Sequence, residues 1–453
     1  MKSTFLRRAV CLVLLAVSSG WYLAAQNESS DGILFRNVLV FDGTGDSLSA
    51  PMDVLVRGNR IESISPAGAS SPAGGNTTVI DGTGKVLMPG LIDAHWHSVM
   101  TGMTSLSMII SDIGYVYYKA GRSAENTLMR GFTTVRDMGG PTFGLKRAID
   151  EGIILGPRIY PSGAMISQTA GHGDFRLPND IPKSPGAPLS YPEQAGMVAI
   201  ADGPDEVLLR VREQLRQGAS QIKLMAGGGV ASPYDPIDVT QFTPAELRAA
   251  VEAAENWGTY VAVHVYTPRA IEIALNAGVK SIEHGQLMDE KTAMLIAQHG
   301  AWISLQPFLD DEDANLHATA SAQANKRMVS TGTDRAYELA KKFNLKIAFG
   351  TDTLFDAAND GTKQGTHLAK LTRWFTPAEV LRQATSTNAE LMALSGPRNP
   401  YPGKLGVVEE GAYADLLLVN GNPLENIQLI ADPVTNFLVI MKNGKIYKNT
   451  LAE

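Results

Sequence analysis

A chain of 453 residues is long enough for one large α/β barrel with an appended unit, or for two to three smaller domains. Its 44% hydrophobic and 19% charged residues give the balance of an ordinary soluble globular protein. A net charge of -7 leaves no electrostatic case for binding nucleic acid.

Residues 1–25 read as an export signal rather than as part of the fold. Lys2, Arg7 and Arg8 form a basic start, Ala9 to Val17 a short apolar core, and Leu23-Ala24-Ala25 a cleavage point before Gln26. The small-residue rule is met at Ala25 and poorly at Leu23, so an uncleaved anchor stays open beside the cleaved form. Cleavage removes three positive charges and no acid, leaving -10 (-7 minus 3). It also removes Cys11, the single cysteine. The mature chain is then expected in the periplasm or outside the cell, without disulfides, thiolate ligands or stable membrane insertion. Any metal has to be held by histidine, carboxylate or modified lysine.

Short apolar runs follow at 33–35, 38–40, 52–56, 60–64 and 78–80, with a turn signal at Gly58-Asn59. A similar pattern returns at 414–419 and 437–441, ahead of Asn443-Gly444. The two ends are expected to build one small β-sandwich from residues 26–89 and 397–453. Between them, over 90–396, apolar strands alternate with amphipathic helices. Strands are expected at 87–95, 132–136, 158–162, 221–225, 260–264, 281–284, 302–306 and 346–351, and helices at 204–217, 244–257, 268–277, 291–298 and 333–343. Eight strands alternating with helices imply a parallel sheet and fit a closed (β/α)8 TIM barrel. No low-complexity tract or internal repeat is visible.

The chemistry concentrates at the ends of these strands, where such a barrel carries its catalytic residues. His95-Trp96-His97 closes the run Pro89-Gly90-Leu91-Ile92-Asp93-Ala94. Residues i and i+2 of a strand share a face, so both imidazoles can meet one metal ion. Two histidines on a strand are also ordinary polar surface, but the apolar run puts this strand inside, where both rings need a partner. Lys223 lies in the fourth strand before Gly227-Gly228-Gly229, His264 ends the fifth, His284 the sixth and Asp352 the eighth. Taken singly, a strand-end histidine is more often core or loop, a lysine between Ile222 and Leu224 snorkels, and an aspartate caps a helix. All six at one mouth point to a metal site. No Gly-X-Ser-X-Gly elbow offers a rival nucleophile.

Pro89 to His97, with the later Lys223, His264, His284 and Asp352, resembles the amidohydrolase superfamily of metal-dependent hydrolases. The resemblance covers nearly everything after residue 30 and includes Gly411-Ala412-Tyr413-Ala414-Asp415-Leu416-Leu417-Leu418. Thr133-Thr134-Val135-Arg136-Asp137-Met138-Gly139-Gly140 and Gly171-His172-Gly173-Asp174 resemble the imidazolonepropionase-like branch. That branch holds bacterial Xaa-Pro and Xaa-Arg/Lys dipeptidases and ochratoxin-hydrolysing amidases. The resemblance implies two divalent ions, one on His95, His97 and Asp352 and the other on His264 and His284. Lys223 would bridge them as an N-carboxylated lysine, since an ammonium cannot coordinate and a carbamate can. Zinc is the expected metal for imidazole and oxygen ligands. The implied reaction is attack of an activated water on an amide carbonyl, with Asp352 moving the proton to the leaving amine.

Tyr266, two residues past His264, is a candidate to support the oxyanion, and His172 to grip the substrate's carboxylate or carbonyl. Packing and loop capping are the plain alternatives for these two. His299, His317 and His367 do not sit at matching strand ends and read as structural or exposed. The acidic run Asp310-Asp311-Glu312-Asp313 either favours a cationic side chain or is a solvated loop. The expected protein is an exported amidohydrolase that cleaves dipeptides or N-acyl amino acids, prolidase- or carboxypeptidase-like, ochratoxin-type amides included. Its partner is a small-molecule amide, and a homo-oligomer is compatible with the sequence. Two rivals stand beside this reading: a cyclic-amide hydrolase such as an imidazolonepropionase, and a non-catalytic barrel used for binding.

Overall fold

Gly90 is the point at which the chain leaves one sheet and enters another. The computed structural model describes residues 31–69, 76–184, 186–232, 234–314 and 319–451, so the expected export signal and His317 lie outside the described residues. Before Gly90 run β1 (Gly32–Val40), β2 (Met52–Arg57), β3 (Arg60–Pro66), β4 (Thr77–Asp81) and β5 (Val86–Pro89); after it begins β6 (Leu91–Trp96). The strand expected at 87–95 is therefore two strands in two sheets. A Cβ on Gly90 would lie 2.2 Å from Thr133 Oγ1, so no larger residue fits at this crossing. The expected runs at 33–35 and 38–40 are one strand, with Asn37 at φ 56° taking up an irregularity.

The middle of the chain supplies β7 (Phe132–Asp137), β8 (Arg158–Pro161), β9 (Met165–Ser167), β10 (Val198–Ile200), β11 (Ile222–Met225), β12 (Val261–Val265), β13 (Ser281–His284), β14 (Trp302–Leu305) and β15 (Lys346–Phe349). They form two sheets, β6-β7-β8 and β10-β9-β11-β12-β13-β14-β15, with parallel neighbours throughout. The expected third strand stops at Pro161. Gly163 takes φ 75°, and β9 resumes to pair Ile166 with Leu224 of β11. The sheets touch at both margins. Ser220 N donates to Pro161 O at 2.8 Å, and on the far side Asp352 N donates to His95 O at 2.8 Å beside a Trp96–Thr353 bridge.

Helices Pro204–Gln217, Pro244–Asn256, Pro268–Ala277 and Glu290–His299 lie where expected, while the expected 333–343 is the end of a longer helix, Ala320–Lys342. Their starts follow local chemistry: Thr243 and Glu246 form a capping box ahead of the second, and Thr319 caps the last by accepting from Ala322 N. Strand alternation sorts the side chains. Ile222, Leu224, Val261, Val263, Val265 and Ile282 join helix residues such as Leu247 and Ile271 in the main core. The opposite strand faces carry buried Lys223, His264 and Glu283. Putting charge and imidazole on the non-core face is what prepares these sheets for chemistry.

Towards the end of the chain come β16 (Leu416–Val419), β17 (Phe437–Lys442) and β18 (Lys445–Asn449), with two short helices between β16 and β17. They complete a mixed sheet in the order β18-β17-β16-β5-β1-β2-β3, with β4 also paired to β1. Both chain ends thus share one sheet, spliced at β5, which runs parallel to β1 and antiparallel to β16. Phe35, Val54, Leu87, Leu416 and Met441 form its separate apolar cluster. Among the described residues no helix is long and apolar enough to cross a membrane.

Candidate metal centre

His95 in β6 and His97 just beyond it both reach Asp352, whose Oδ1 lies 3.3 Å from His95 Nε2 and 3.1 Å from His97 Nε2. The shared face expected of residues two apart is what allows this. Asp352 itself lies three residues past β15, not at its end, and holds φ 51°. A left-handed non-glycine residue persists only where its surroundings fix it, and here its N–H is bound to His95 O. His284 ends β13 at φ 77°, and its ring lies 5.0 Å from that of His95. His95, His284 and Asp352 each offer a ligand atom, all within 4.8 Å of one another.

Lys223 Nζ lies 3.5 Å from His95 Nε2, its one polar contact among the described residues. The His264 ring stands 4.5 Å from His284, with Tyr266 stacked on His284 at 5.0 Å and His172 stacked on His264 at 4.2 Å. All eight residues singled out in the sequence therefore meet in one place. His299 and His367 stay apart from it in the helices Glu290–His299 and Gln364–Lys370.

The outer contacts of the imidazoles suit a metal. His97 Nδ1 lies 3.3 Å from Gly139 O, His284 Nδ1 2.8 Å from Gln306 Oε1, and His264 Nε2 3.1 Å from Gly228 O. His95 Nδ1 lies 2.9 Å from Glu283 Oε2, at ion-pair distance but without the alignment of a hydrogen bond. An oxygen acceptor keeps the ring proton on that nitrogen and leaves the other lone pair free to coordinate. Burial pushes His95 down to about 4 and His284 down to about 3, and holds His264 well below the usual histidine value. Neutral rings are what a cation requires. Burial alone would raise Asp352, but His95, His97 and His284 hold its carboxyl well below the usual range. Burial also brings the Lys223 amine down to about 8. The neutral rings of His95, His264 and His284, the His97 ring beside them, one ionised carboxylate and a buried amine make a His/Asp cluster that could hold a metal ion, with room in its chemistry for one more anion.

Several supporting residues were not singled out in the sequence. Asp93 accepts from His95 N at 3.0 Å, Thr351 N at 3.1 Å, Thr351 Oγ1 at 2.8 Å and Gln364 Nε2 at 2.9 Å, which ties β6 to the Asp352 segment. Arg136, Glu283 and Gln306 lie behind the histidines, and Asp235 Oδ2 sits 2.9 Å from His172 Nδ1. Polar residues alternating with apolar ones inside buried strands, as in Ser281-Ile282-Glu283, were the available signal. The glycine run is explained by close approach. A Cβ on Gly228 would meet Pro236 O at 1.8 Å, and one on Gly229 would meet His172 Cε1 at 2.1 Å.

The structure bears on the two readings of the acidic run. Asp311 and Asp313 each pair with Lys370 at 2.8 Å, Asp313 also with Lys363 at 2.8 Å, and Asp310 with Lys326 at 3.1 Å. These three carboxylates are neutralised by the chain's own lysines, so they give no basis for selecting a cationic substrate.

The pattern of the amidohydrolase family matches residues 86–447. The chain belongs to that family. This amidohydrolase is 36% identical over 380 residues to the ochratoxinase of Aspergillus niger, across 80% of this chain and 76% of that protein. It is also similar to the crystal structure of a prolidase complexed with N-methylphosphonate-L-proline, at TM-score 0.83 and 34% identity over 92% of this chain and 100% of that one. A Xaa-Pro dipeptidase with methionine bound in its active site aligns at TM-score 0.79 and 27% identity, over 92% and 100% of the two chains. The amidohydrolase is accordingly a hydrolase acting on C–N amide bonds, and the non-catalytic reading falls.

Proposed function

We propose that this amidohydrolase is a binuclear, metal-dependent enzyme that cleaves the amide bond of dipeptides or N-acyl amino acids, aromatic acyl groups included. The observation that carries the reading is Lys223, buried beside the His/Asp cluster, 3.5 Å from His95 Nε2. A buried ammonium facing an imidazole is costly, whereas a carbamate on that nitrogen is an anionic ligand. His95, His97 and Asp352 would hold one ion, His264 and His284 the other, and N-carboxylated Lys223 would bridge them. Zinc suits the donor set. The similarity to ochratoxinase and to prolidase supports an amino-acid amide as substrate. Residues 90–396 would form the closed (β/α)8 barrel, and 26–89 with 397–453 the sandwich. Residues 1–25 support export to the periplasm or beyond the cell.

When bound, the ions supply a Lewis acid for the carbonyl and an acidified water, near pKa 7 as a rough figure. Asp352, ionised and aimed into the centre, takes the proton of the attacking water and returns it to the leaving amine. The Tyr266 ring is packed on His284, yet its hydroxyl has no hydrogen-bond partner among the described residues. Burial, then Asp352, keeps that phenol protonated, so it can donate to the developing oxyanion. His172 is held at Nδ1 by Asp235, and in the form that carries a proton on both ring nitrogens its Nε2 would donate to the substrate's carboxylate.

Metal analysis of the purified protein, combined with a screen of dipeptides, N-acyl amino acids and cyclic amides, tests the reading. The expected result is two zinc ions per chain and hydrolysis of linear amides. Full activity in a verified metal-free sample, or hydrolysis of cyclic amides alone, would overturn it. A free α-carboxylate should also be required. Removing a hydrogen bond to a charged group costs about 1.5–3 kcal/mol, so amidated substrates and the His172→Ala variant should each lose roughly ten- to 150-fold in kcat/KM. Equal rates on free and amidated termini would remove His172 from carboxylate recognition.

A further inference from the structure

Among the four histidines of the centre, His95 alone has a carboxylate at its outer nitrogen. Gly139 O, Gln306 Oε1 and Gly228 O, which face the other three, are neutral. Glu283 is fully buried, and so is Arg136. Both Glu283 oxygens accept from Arg136 Nη2, at 2.7 and 2.8 Å, and Oε1 also accepts from Ser281 Oγ at 2.6 Å. Arg136 in turn donates through Nε to Ala94 O at 2.6 Å and through Nη1 to Tyr260 Oη at 3.2 Å. The pair therefore grips His95 twice: Arg136 holds the carbonyl just before it, and Glu283 faces the ring.

We propose that the Arg136–Glu283 ion pair is a positioning unit of the metal centre, holding His95 with Nε2 toward the ions and strengthening it as a ligand. This rests on the reading of the centre as a metal site. A carboxylate behind a ligating imidazole fixes the tautomer and raises the ring's basicity. Left alone, such a buried carboxylate would be a stranded charge; Arg136 balances it without adding net charge beneath the centre.

The plain rival is a buried pair that merely joins β7 to β13. The two roles separate in a pair of variants made in the full chain. Glu283→Gln keeps the shape but removes the charge, and zinc affinity measured by chelator competition should fall about 10- to 100-fold. The double variant Arg136→Met/Glu283→Gln leaves no unpaired charge, so its melting temperature should recover toward wild type while zinc affinity stays low. Wild-type zinc affinity in either variant, or affinity that returns in step with melting temperature, would overturn the positioning role. If Glu283→Gln fails to fold, the double variant carries the test alone. A wild-type chain that binds no zinc would instead overturn the metal-site reading, and this proposal with it.

Discussion

Lys223→Ala is expected to strip the protein of metal and reduce turnover to background, the largest single-residue effect in the molecule. Lys223 lies on β11 on the face opposite Ile222 and Leu224, which are packed in the main core. Its position is thus set by a four-residue strand between two other strands, and it cannot retreat to solvent. Burial brings the amine down to about 8. Near pH 7.5 roughly a quarter of such amines are neutral, against about one in a thousand at the ordinary lysine value. The neutral amine is the form that attacks carbon dioxide, forming an N–C bond and releasing a proton. On the proposed binuclear reading, removing the side chain would remove the bridging anion and leave the imidazoles and one carboxylate to face two dications. Metal content and turnover measured on the same sample decide the matter. Bicarbonate should aid reconstitution of the metal-stripped wild type and have no effect on the variant. A variant that retains two metals per chain and normal rates would show that the bridge lies elsewhere.

The parts of this molecule legible in the sequence are those set by local pattern. Period-two alternation puts Lys223 and His264 on faces opposite the valines and isoleucines of their strands. The His95–His97 pairing followed from strand geometry alone. What was not legible depends on contacts distant in sequence. Glycine is required at the break at position 90 because Thr133 crowds the crossing, and nothing near Gly90 announces that. The break after Pro161 depends on which strand β9 meets across the sheet. The two readings of the acidic run stayed open because Lys326, Lys363 and Lys370 are close to it in space but not in sequence. Glu283 was hidden by its neighbour, His284, which carried the more recognisable chemistry. Alternation would have placed it beside Ser281, on the face that Arg136 fills.

Asp352→Asn should bind substrate about as well as wild type and lose the chemical step by on the order of 10²- to 10⁴-fold, the usual range for general acid–base catalysis. The substitution suits the question because of the backbone. Asp352 sits at φ 51°, a conformation that asparagine tolerates better than other side chains apart from glycine, so the segment should keep its shape. Its amide N–H still meets His95 O, and Thr351 remains tied to Asp93. What changes is charge and basicity at one position. The wild-type carboxyl is held well below the usual range by His95, His97 and His284 against the opposing effect of burial, so it is ionised throughout the working pH range. An amide oxygen in its place accepts a hydrogen bond but takes no proton, and it is a weaker ligand. Some metal loss should therefore accompany the fall in kcat, and metal occupancy has to be measured with the rate. If occupancy is restored by added zinc while kcat stays low, the missing function is proton transfer. If kcat returns with occupancy, Asp352 serves only as a ligand. Unchanged turnover would remove it from the mechanism altogether.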